Sequence, residues 1–495
     1  MTNIKDLITE AKRFYENKNF AEVKSHLLTV LKNKQIEKKL KLSIYILLSD
    51  VCYKINDFNN AEKYLIKCIA EGKVNSEIHN SLGNIYIKKG DFEKSEKSYL
   101  RSVDIKGDNE TVLINLAILY HNLGKNDQAI SIYKKVLKLN PDNIGVLFNL
   151  SKIDPSIINQ KLIQNLKKEI LKKKLSNFNL ASCYFLLANY EKRKKNFNKE
   201  MDLLKEGNIH SFNSNEKKNL QLNNYWLNGM PKKITETKFH IDKKFVNNGE
   251  DMYPIFIIGL PRCGSTLLES IISSGDEKVE NLGETNLVNW AFINTNQNFI
   301  KSVYSDKKID VDLNITAQKL INVLKNLRKK NDSKKIIFLE KSLENFYYIE
   351  LILNIFPNAK FIHSQRNLID NIFAIHNQFL PNISWSHSIK DILLYIENYI
   401  SILDHFKKKY PNKIFSISLE NFTIDPEKIS KDIYNFCSLN WSKDCLKFYK
   451  RNDLFINTAS NNQMRKNISK YDDKKYAPYK KILNEYLVEY DWLNQ

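Results

Sequence analysis

The stretch FIIGLPRCGSTLLESII, residues 256–272, joins a strand-like apolar run, a turn containing Gly and Pro, and a helix-like run. Gly259 and Gly264 have the spacing of the phosphate loop G-x-x-x-x-G-K-[ST], whose lysine reaches the β and γ phosphates of a nucleotide. Here the lysine position is Ser265, and a cation stands inside the loop as Arg262. The stretch therefore predicts an anion-binding loop that differs from a nucleotide-hydrolysing one.

The loop keeps the parts that hold a phosphate group. Backbone N–H groups and the N-terminus of the following helix attract an anion, and Thr266 occupies the hydroxyl position of the pattern. Metal-assisted transfer of a γ-phosphoryl group relies on the lysine that is missing. A kinase or NTPase is therefore disfavoured, and a different phosphate-bearing donor is expected.

Three more strand-like runs follow in the second half of the chain, with helical runs between them. The strand-like runs are KIIFL (335–339), KFIHS (360–364) and KIFSISL (413–419), and the helical runs include residues 347–356 and 368–379. This alternation predicts an α/β domain with a mostly parallel sheet and helices on both faces.

Ligands bind at the carboxyl ends of the strands in such sheets, so the polar residues just past each strand are candidates. Glu340, Lys341 and Ser342 follow one strand, and Arg366 follows another, leading a helix that carries Asp370. The turn NLGETN places a further carboxylate, Glu284, between two helical runs. Several cations and one isolated carboxylate are therefore expected at one edge of the sheet.

The first half of the chain repeats with a period of 34 residues. The recurring positions are Leu82, Gly83, Tyr86, Gly90 and Tyr99, matched 34 residues later by Leu116, Ala117, Tyr120, Gly124 and Tyr133. This period is typical of tetratricopeptide repeats, in which two antiparallel helices form a unit and small residues stand where the helices cross. Degenerate helix pairs at residues 4–34 and 180–208 are expected to flank these units.

The predicted fold is an all-α tetratricopeptide superhelix over residues 1–210, a polar connector over 211–250 and a P-loop-like α/β domain over 251–495. Repeat arrays of this kind usually bind a peptide or another protein on their concave face. A packing or dimerisation scaffold is equally consistent with the sequence, so both interpretations stay open. Nothing in the array supplies chemistry.

Composition and charge narrow the classes of ligand, partner and cellular location that the protein is expected to have. The 495 residues carry a net charge of +21, which suggests an anionic ligand, although the lysines are scattered and no nucleic-acid recognition motif accompanies them. The six cysteines form no CxxC pair or metal-like spacing with histidine. The N-terminus MTNIKDLITEAK has no apolar signal core, and no run is long enough to span a membrane. These features predict a cytoplasmic protein without a metal.

From about residue 253 to 479 the chain resembles the sulfotransferases that use 3′-phosphoadenosine 5′-phosphosulfate. The combination with repeats resembles bacterial tetratricopeptide-sulfotransferases, in a branch similar to the tyrosylprotein sulfotransferases. The stretches that carry the resemblance are IFIIGLPRCGSTLLESII, GET, LEKSLENF, FPNAKFIHSQRNLIDNIF, SLENFTIDPE, TASNNQ and SKY. Their order along the chain is more specific than any single motif.

The resemblance implies a donor-binding role for the loop. In the family's pattern, Arg262, Gly264, Ser265 and Thr266 match the loop that holds the 5′-phosphosulfate. Backbone N–H groups, hydroxyls and a guanidinium suit a sulfonate and phosphate pair. Arg366 matches the arginine that holds the 3′-phosphate.

The same resemblance implies which residues act on the sulfuryl group. Glu284 matches the base that takes the proton of the acceptor hydroxyl, and Lys341, with Arg262, would steady the sulfuryl group and the leaving phosphate. Ser460 and Lys470 match residues that close over the phosphosulfate. The donor is then a co-substrate, and no metal is required.

The 3′-phosphate motif departs from the family pattern. Ala374 stands where the family usually has a serine, eight residues after the arginine, and Asn367 and Leu368 replace an Asp-Pro pair. The segment between Gln463 and Ser469 is shorter than is usual in the family. These departures bear on donor affinity and on the second contact of the 3′-phosphate.

The leading hypothesis is transfer of a sulfuryl group to an acceptor hydroxyl. The acceptor stays open between a peptide or protein tyrosine held by the repeats, a small alcohol, a glycan and a lipid. The alternative is a non-catalytic tetratricopeptide adaptor whose α/β domain binds a nucleotide. The oligomeric state, a homodimer included, is open as well.

Overall fold

The computed structural model describes residues 4–17, 19–33, 36–247, 251–276, 278–305, 309–327, 336–451, 454–458 and 460–494. The chain forms two compact units. The first comprises Met1–His121, Lys125–Val146 and Val323–Leu327, and the second comprises Asn122–Gly124, Leu147–Asn322 and Arg328–Gln495. The second unit therefore contains the sheet and the helices that follow residue 147, except for the end of one helix at Val323–Leu327. The domain boundaries drawn from the sequence, at residues 210 and 250, stay a prediction.

The described part of the chain up to residue 153 consists of nine helices and the short turns that connect them. They are α1 (Ile4–Glu16), α2 (Phe20–Leu31), α3 (Lys38–Lys54), α4 (Phe58–Ala70), α5 (Ser76–Lys89), α6 (Phe92–Ile105), α7 (Glu110–Asn122), α8 (Asn126–Leu139) and α9 (Ile144–Ile153). Helices α1 and α2 pack as a pair, as do α3 with α4 and α5 with α6. The degenerate pair expected over residues 4–34 is formed by α1 and α2, while Lys34 lies outside the described residues.

Small residues stand where the paired helices cross, as the 34-residue period predicts. The Ser49 hydroxyl on α3 donates to the carbonyl oxygen of Ala61 on α4 at 2.8 Å. One repeat later, the Ser95 hydroxyl on α6 donates to the carbonyl oxygen of Gly83 on α5 at 2.9 Å. The two repeats thus make the same crossing bond with the hydroxyl on opposite helices.

A second recurring contact joins consecutive repeats. Glu62 on α4 accepts from the Tyr86 hydroxyl on α5 at 2.8 Å and also from the Lys89 ammonium. Glu96 on α6 accepts from the Tyr120 hydroxyl on α7 at 3.0 Å, 34 residues further along. Charge-assisted hydrogen bonds of this kind fix the spacing between neighbouring repeats more firmly than apolar contact alone.

The second unit begins with further helices and a short two-stranded sheet. The helices are α10 (Gln160–Leu171), α11 (Asn177–Arg193), α12 (Phe197–Asn213), α13 (Glu216–Asn223), a π-helix (Asn224–Gly229), α14 (Met230–Ile234) and α15 (Lys243–Asn247). Strand β1 (Lys238–His240) pairs in parallel with a strand that comes later in the chain. Helices α11 and α12 pack against each other, so the pair predicted over residues 180–208 is confirmed as a helical pair.

The remaining elements surround a five-stranded parallel sheet. The strands that follow β1 are β2 (Met252–Gly259), β3 (Val279–Gly283), β4 (Asp310–Asp312), β5 (Ile336–Glu340), β6 (Lys360–Gln365) and β7 (Ile414–Ser418). Strand β4 is the partner of β1, and the other five form the sheet. The helices are α16 (Ser265–Gly275), α17 (Leu287–Thr295), α18 (Gln297–Ser302), α19 (Asn314–Leu327), α20 (Ile349–Ile355), α21 (Leu368–His376), α22 (Ile389–Lys409), α23 (Leu419–Ile424), α24 (Pro426–Cys437) and α25 (Asn461–Met464). The 3₁₀ segments are Pro155–Ile157, Leu343–Tyr348, Ser384–His387, Lys443–Lys450, Ala477–Tyr486 and Asp491–Asn494.

The strand order is β3-β5-β2-β6-β7, with every neighbouring pair parallel. The predicted α/β fold is therefore confirmed. Strand β2 lies at the centre and is almost wholly buried, which is why its sequence reads as a continuous apolar run. Because all five strands run the same way, their carboxyl ends meet at one edge.

The turn that carries Glu284 lies between helices α16 and α17, as the sequence predicts. Strand β3, which directly precedes Glu284, was not predicted. This edge strand has only five residues and carries Glu280 and Asn281, so it lacks the apolar alternation by which a strand is usually detected. Because β3 runs parallel to β5, and β5 to β2, Glu284 lies at the same edge as the loop after β2.

Among the described helices, none is long and apolar enough to cross a membrane. The chain outside the described ranges is not covered by this finding.

The crossing of α5 and α6 gives a test of the repeat packing. A Cβ atom added at Gly83 would lie 2.4 Å from Cε1 of the buried Tyr99 ring. Gly83→Ala is therefore expected to destabilise the first unit by about 1–2 kcal/mol, since overpacking outweighs the gain in helix propensity. Thermal unfolding followed by circular dichroism at 222 nm measures the change.

Gly145→Ala is the matched control, because the added Cβ would lie 3.6 Å from its nearest neighbour, an ordinary contact. We expect its melting temperature to equal or exceed that of the wild type. A Gly83→Ala protein as stable as Gly145→Ala would contradict the close crossing.

Candidate active site

The loop after β2 has an unusual backbone that only certain residues adopt easily. Arg262 has φ +69° and Gly264 has φ +97°, both in the left-handed region. Gly264 is the residue before α16, and a Cβ atom there would lie 2.8 Å from Leu419 Cδ1. The glycine is thus required by both conformation and space. The first amides of α16, at Ser265 and Thr266, are left outside the helix's own hydrogen bonds and suit an anion.

Arg262 and Ser460, which the sequence assigned to one site, lie in contact. Nη1 of Arg262 donates to the Ser460 Oγ at 2.8 Å, across nearly two hundred residues of chain. Burial lowers the pKa of Arg262, with the neighbouring Arg366 acting in the same sense and Tyr476 in the opposite one. Two guanidinium groups held this close favour an anion between them.

Lys341 is a fully buried cation at this edge, with 1% of its side chain exposed. Its Nζ donates to Glu284 Oε1 at 2.7 Å and to Thr266 Oγ1 at 3.3 Å, and it lies 3.1 Å from Glu269 Oε2. Burial lowers the pKa of Lys341, but the charges of Glu269 and Glu284 outweigh it and raise the pKa well above its usual value. Lys341 is therefore a permanent cation that ties the loop to the predicted base.

Glu284 is the exposed member of this group, with half of its side chain open to solvent. The turn that carries it is fixed by backbone contacts to the segment after β5. The Lys341 N–H donates to the Gly283 carbonyl oxygen at 2.9 Å, and the Asn286 N–H donates to the Ser342 Oγ at 2.8 Å. Glu284 is thus an accessible carboxylate on a rigid turn.

The buried carboxylate of Glu340 fixes the turn that carries Glu284 by accepting hydrogen bonds from it. It accepts from the N–H of Thr285 at 3.2 Å, from the Thr285 hydroxyl at 2.8 Å, and from the N–H of Ser342 at 2.9 Å. Asn345 Nδ2 adds a bond of 2.5 Å, and the Ser342 hydroxyl a further one. Burial raises the pKa of Glu340, while the bonds from Ser342 and Thr285 oppose the rise.

Arg366 lies beside the loop at the end of β6. Its Nε donates to the Tyr471 hydroxyl at 2.9 Å and its Nη1 to the Arg262 carbonyl oxygen at 3.4 Å. The guanidinium lies over the rings of Tyr471 and Tyr476, at 5.0 and 5.2 Å from their centres. The Tyr471 hydroxyl in turn donates to Asp370 Oδ2 at 2.5 Å. Arg366 is held in one orientation by these groups.

Lys470 is exposed, and its part in the site stays a prediction. Lys475, five residues later, is close enough to respond to Arg366 and Arg262. Desolvation lowers the pKa of Lys475, followed by the charges of Lys192, Arg366 and Arg262.

Sequence reasoning missed four residues here: Glu269, Glu344, Tyr471 and Lys475. Glu269 stands one helical turn after Thr266 within the quoted loop stretch, so its place on the same face of α16 was a usable signal. Tyr471 stands in the SKY stretch that carried the resemblance, which was a usable signal, whereas Lys475 lies in a stretch without periodicity and gave none. Burial, partly offset by its own backbone N–H, raises the pKa of Glu344 to about 7, and the charges of Glu340 and Glu284 add to the rise.

Among the described residues, no group of three or more His, Cys, Asp and Glu side chains is placed to hold a metal ion.

The Glu340 network generates a prediction about stability. Glu340→Ala leaves the donors at Thr285, Ser342 and Asn345 without their shared acceptor in a buried place. The free energy of unfolding is expected to fall by about 3 kcal/mol. Urea denaturation followed by tryptophan fluorescence measures it, and the exposed Glu397→Ala on α22 is the control, with a change within about 0.5 kcal/mol. Equal midpoints for the two variants would contradict the role of Glu340.

Residues 254–443 match the family model described as the sulfotransferase family. Residues 42–70 and 75–142 match models of the tetratricopeptide repeat. An uncharacterized protein of Aquifex aeolicus is 29% identical over 243 residues, which is 46% of this chain and 31% of that protein. The chain thus spans about a third of the length of this curated relative.

Several solved structures are similar in part. The sulfotransferase domain of the Synechococcus PCC 7002 olefin synthase is 16% identical, with a TM-score of 0.32, over 46% of this chain and 88% of that one. Sulfotransferase STF9 from Mycobacterium avium is 13% identical, with a TM-score of 0.30, over 50% and 79%. A tetratricopeptide repeat protein from Parabacteroides merdae is 15% identical, with a TM-score of 0.33, over 44% and 90%. The matches to family models run in sequence order from the tetratricopeptide repeat, at residues 42–70 and 75–142, to the sulfotransferase family, at residues 254–443.

Proposed function

We propose that the second unit transfers a sulfuryl group from 3′-phosphoadenosine 5′-phosphosulfate to an acceptor hydroxyl. The observation that carries the proposal is the position of Lys341, whose ammonium contacts both Thr266 of the anion loop and Glu284. An anion held by the loop would therefore lie within reach of a carboxylate base. The match of residues 254–443 to the sulfotransferase family supports the same reaction class.

The charges at this edge suit a donor with two separated anionic groups. The phosphosulfate would lie on residues 262–266, where Arg262 and the first amides of α16 offer donors. The 3′-phosphate would lie on Arg366, whose Nε and aromatic contacts leave other guanidinium N–H groups available. Nη1 of Arg366 donates to the main-chain carbonyl oxygen of Arg262 at 3.4 Å, so Arg366 lies beside the loop. A donor whose 5′- and 3′-groups share one ribose would contact both the loop and Arg366.

The reaction follows from these placements. Glu284 takes the proton of the acceptor hydroxyl as its oxygen forms a bond to sulfur. The bond between sulfur and the bridging oxygen of the 5′-phosphate breaks in line. Arg262, Lys341 and the loop amides stabilise the charge that grows on that oxygen. The products are a sulfate ester and adenosine 3′,5′-bisphosphate, with the proton left on Glu284.

A hydroxyl-bearing peptide or protein is the acceptor class that a tetratricopeptide region would serve, since such repeats commonly bind peptides. A tyrosine is the acceptor suggested by the tyrosylprotein-like stretches of the sequence. The half-exposed position of Glu284 is compatible with an acceptor that approaches from solvent.

One observation favours a second candidate, a nucleotide-binding adaptor without activity. Ala374 is buried on α21 and carries no hydroxyl for a 3′-phosphate. Such an adaptor would bind the bisphosphate and never turn over the donor, which separates it from the enzyme.

Donor binding is tested by calorimetry with adenosine 3′,5′-bisphosphate, with ATP and ADP run beside it. We expect micromolar affinity for the bisphosphate and a loss of at least about tenfold in Arg366→Ala, because a charge-assisted contact to phosphate is removed. Lys408→Ala, at an exposed position in the last turn of α22, is the control and should bind like the wild type. A preference for ATP, or equal binding by Arg366→Ala, would contradict the assignment of the donor.

The turnover rate tests whether Glu284 acts as the base. Glu284→Gln keeps the shape of the side chain and removes its capacity to accept a proton, so kcat should fall by about 10²- to 10⁴-fold. Release of adenosine 3′,5′-bisphosphate from the donor, with 4-methylphenol as a tyrosine-like acceptor, measures the rate. Binding of the bisphosphate should persist in this variant, and an unchanged kcat would end the role of Glu284.

A further inference from the structure

Lys341 has two carboxylate partners that differ in how they are held. Glu269 has 12% of its side chain exposed and lies on α16, whereas Glu284 is 50% exposed and lies in the turn after β3. Their oxygens are 3.1 and 2.7 Å from the same Nζ. One buried ammonium therefore balances two negative charges, and one carboxylate is in excess.

Glu269 is fixed at both of its oxygens. Its Oε2 faces Lys341, and its Oε1 accepts from Asn281 Nδ2 on β3 at 3.0 Å. The side chain thus bridges α16 and β3, one helical turn after Thr266. Glu284 contributes Oε1 to Lys341 from a side chain with room to move.

We infer that Glu269 is a positioning residue for the transfer reaction: it neutralises Lys341 permanently, so that Glu284 is free to act on the acceptor. The inference rests on the proposed function. A buried ammonium that loses its last partner is strongly disfavoured. If Lys341 had Glu284 alone, protonation of that carboxylate during the reaction would leave the ammonium unpaired. With Glu269 in place, Glu284 can be protonated while Lys341 stays paired.

The same charge acts against the bound donor. Glu269 places a carboxylate close to the loop that would hold the phosphosulfate, and like charges at short range repel. Glu269→Gln removes this repulsion without changing the shape of the side chain. We therefore expect the variant to bind adenosine 3′,5′-bisphosphate on the order of 3- to 10-fold more tightly while turning over the donor more slowly. A merely structural defect would weaken binding and slow turnover together.

The experiment uses the full chain as wild type, Glu269→Gln and Glu284→Gln. Calorimetry gives the affinity for adenosine 3′,5′-bisphosphate, and release of that product from the donor, with 4-methylphenol as acceptor, gives kcat. The expected results are tighter binding and a kcat lowered about 10- to 100-fold in Glu269→Gln.

Weaker or unchanged binding by Glu269→Gln, or an unchanged kcat, would overturn the inference. If Glu284→Gln is slow while Glu269→Gln is normal, the proposed function stands and this inference alone fails. If the wild type binds the bisphosphate but never turns over the donor, the proposed function fails and the inference falls with it.

Discussion

The buried ammonium of Lys341 is the interaction on which the candidate site depends. A charge with so little contact to water is stable only with fixed partners of opposite sign, and its position after β5 brings those partners from two other elements. Glu269 comes from α16 and Glu284 from the turn after β3, while Thr266 adds a hydroxyl from the start of α16. The need to satisfy one cation thus draws the anion loop and the candidate base to the same place.

The parallel sheet makes this arrangement possible. Strands β3, β5, β2 and β6 lie side by side, and each ends at the edge where Glu284, Lys341, Arg262 and Arg366 follow. Glu340 then converts proximity into a fixed geometry, since its carboxylate joins the turn after β3 to the segment after β5. The cost of burying that carboxylate is offset by the donors that converge on it.

Much of the fold, and several residues of the candidate site, could be predicted from the sequence. Long strands such as β2 are detected in the sequence by their continuous apolar runs. The rule that ligands bind at the carboxyl ends of parallel strands then selected Lys341 and Arg366. The repeat period predicted the small residues at the helix crossings, because Gly83 and Ser95 recur at fixed spacing. Short and polar elements were harder: β3 was not predicted as a strand, since packing against β5 rather than its own pattern makes it one.

Partners that are distant along the chain escaped sequence reasoning altogether. Tyr471 contacts Arg366 over a separation of 105 residues, and nothing in its local sequence indicates this contact. Lys470 was selected as a site residue by its place in a motif, and its role stays a prediction. Lys475 was not selected, although burial and then the charges of Lys192, Arg366 and Arg262 lower its pKa. Glu269 was visible in the loop stretch, but an acid on a helix usually faces solvent, and only the burial of Lys341 gives it another role.

A crystal structure of the protein with adenosine 3′,5′-bisphosphate is the most direct test of the central claim, that this edge of the sheet is a sulfuryl-transfer site. We expect the 5′-phosphate to lie on residues 262–266 within hydrogen-bonding distance of Lys341, and the 3′-phosphate to lie on the guanidinium of Arg366. A bisphosphate bound elsewhere on the molecule, or bound with its 5′-phosphate away from Lys341 and Glu284, would contradict it.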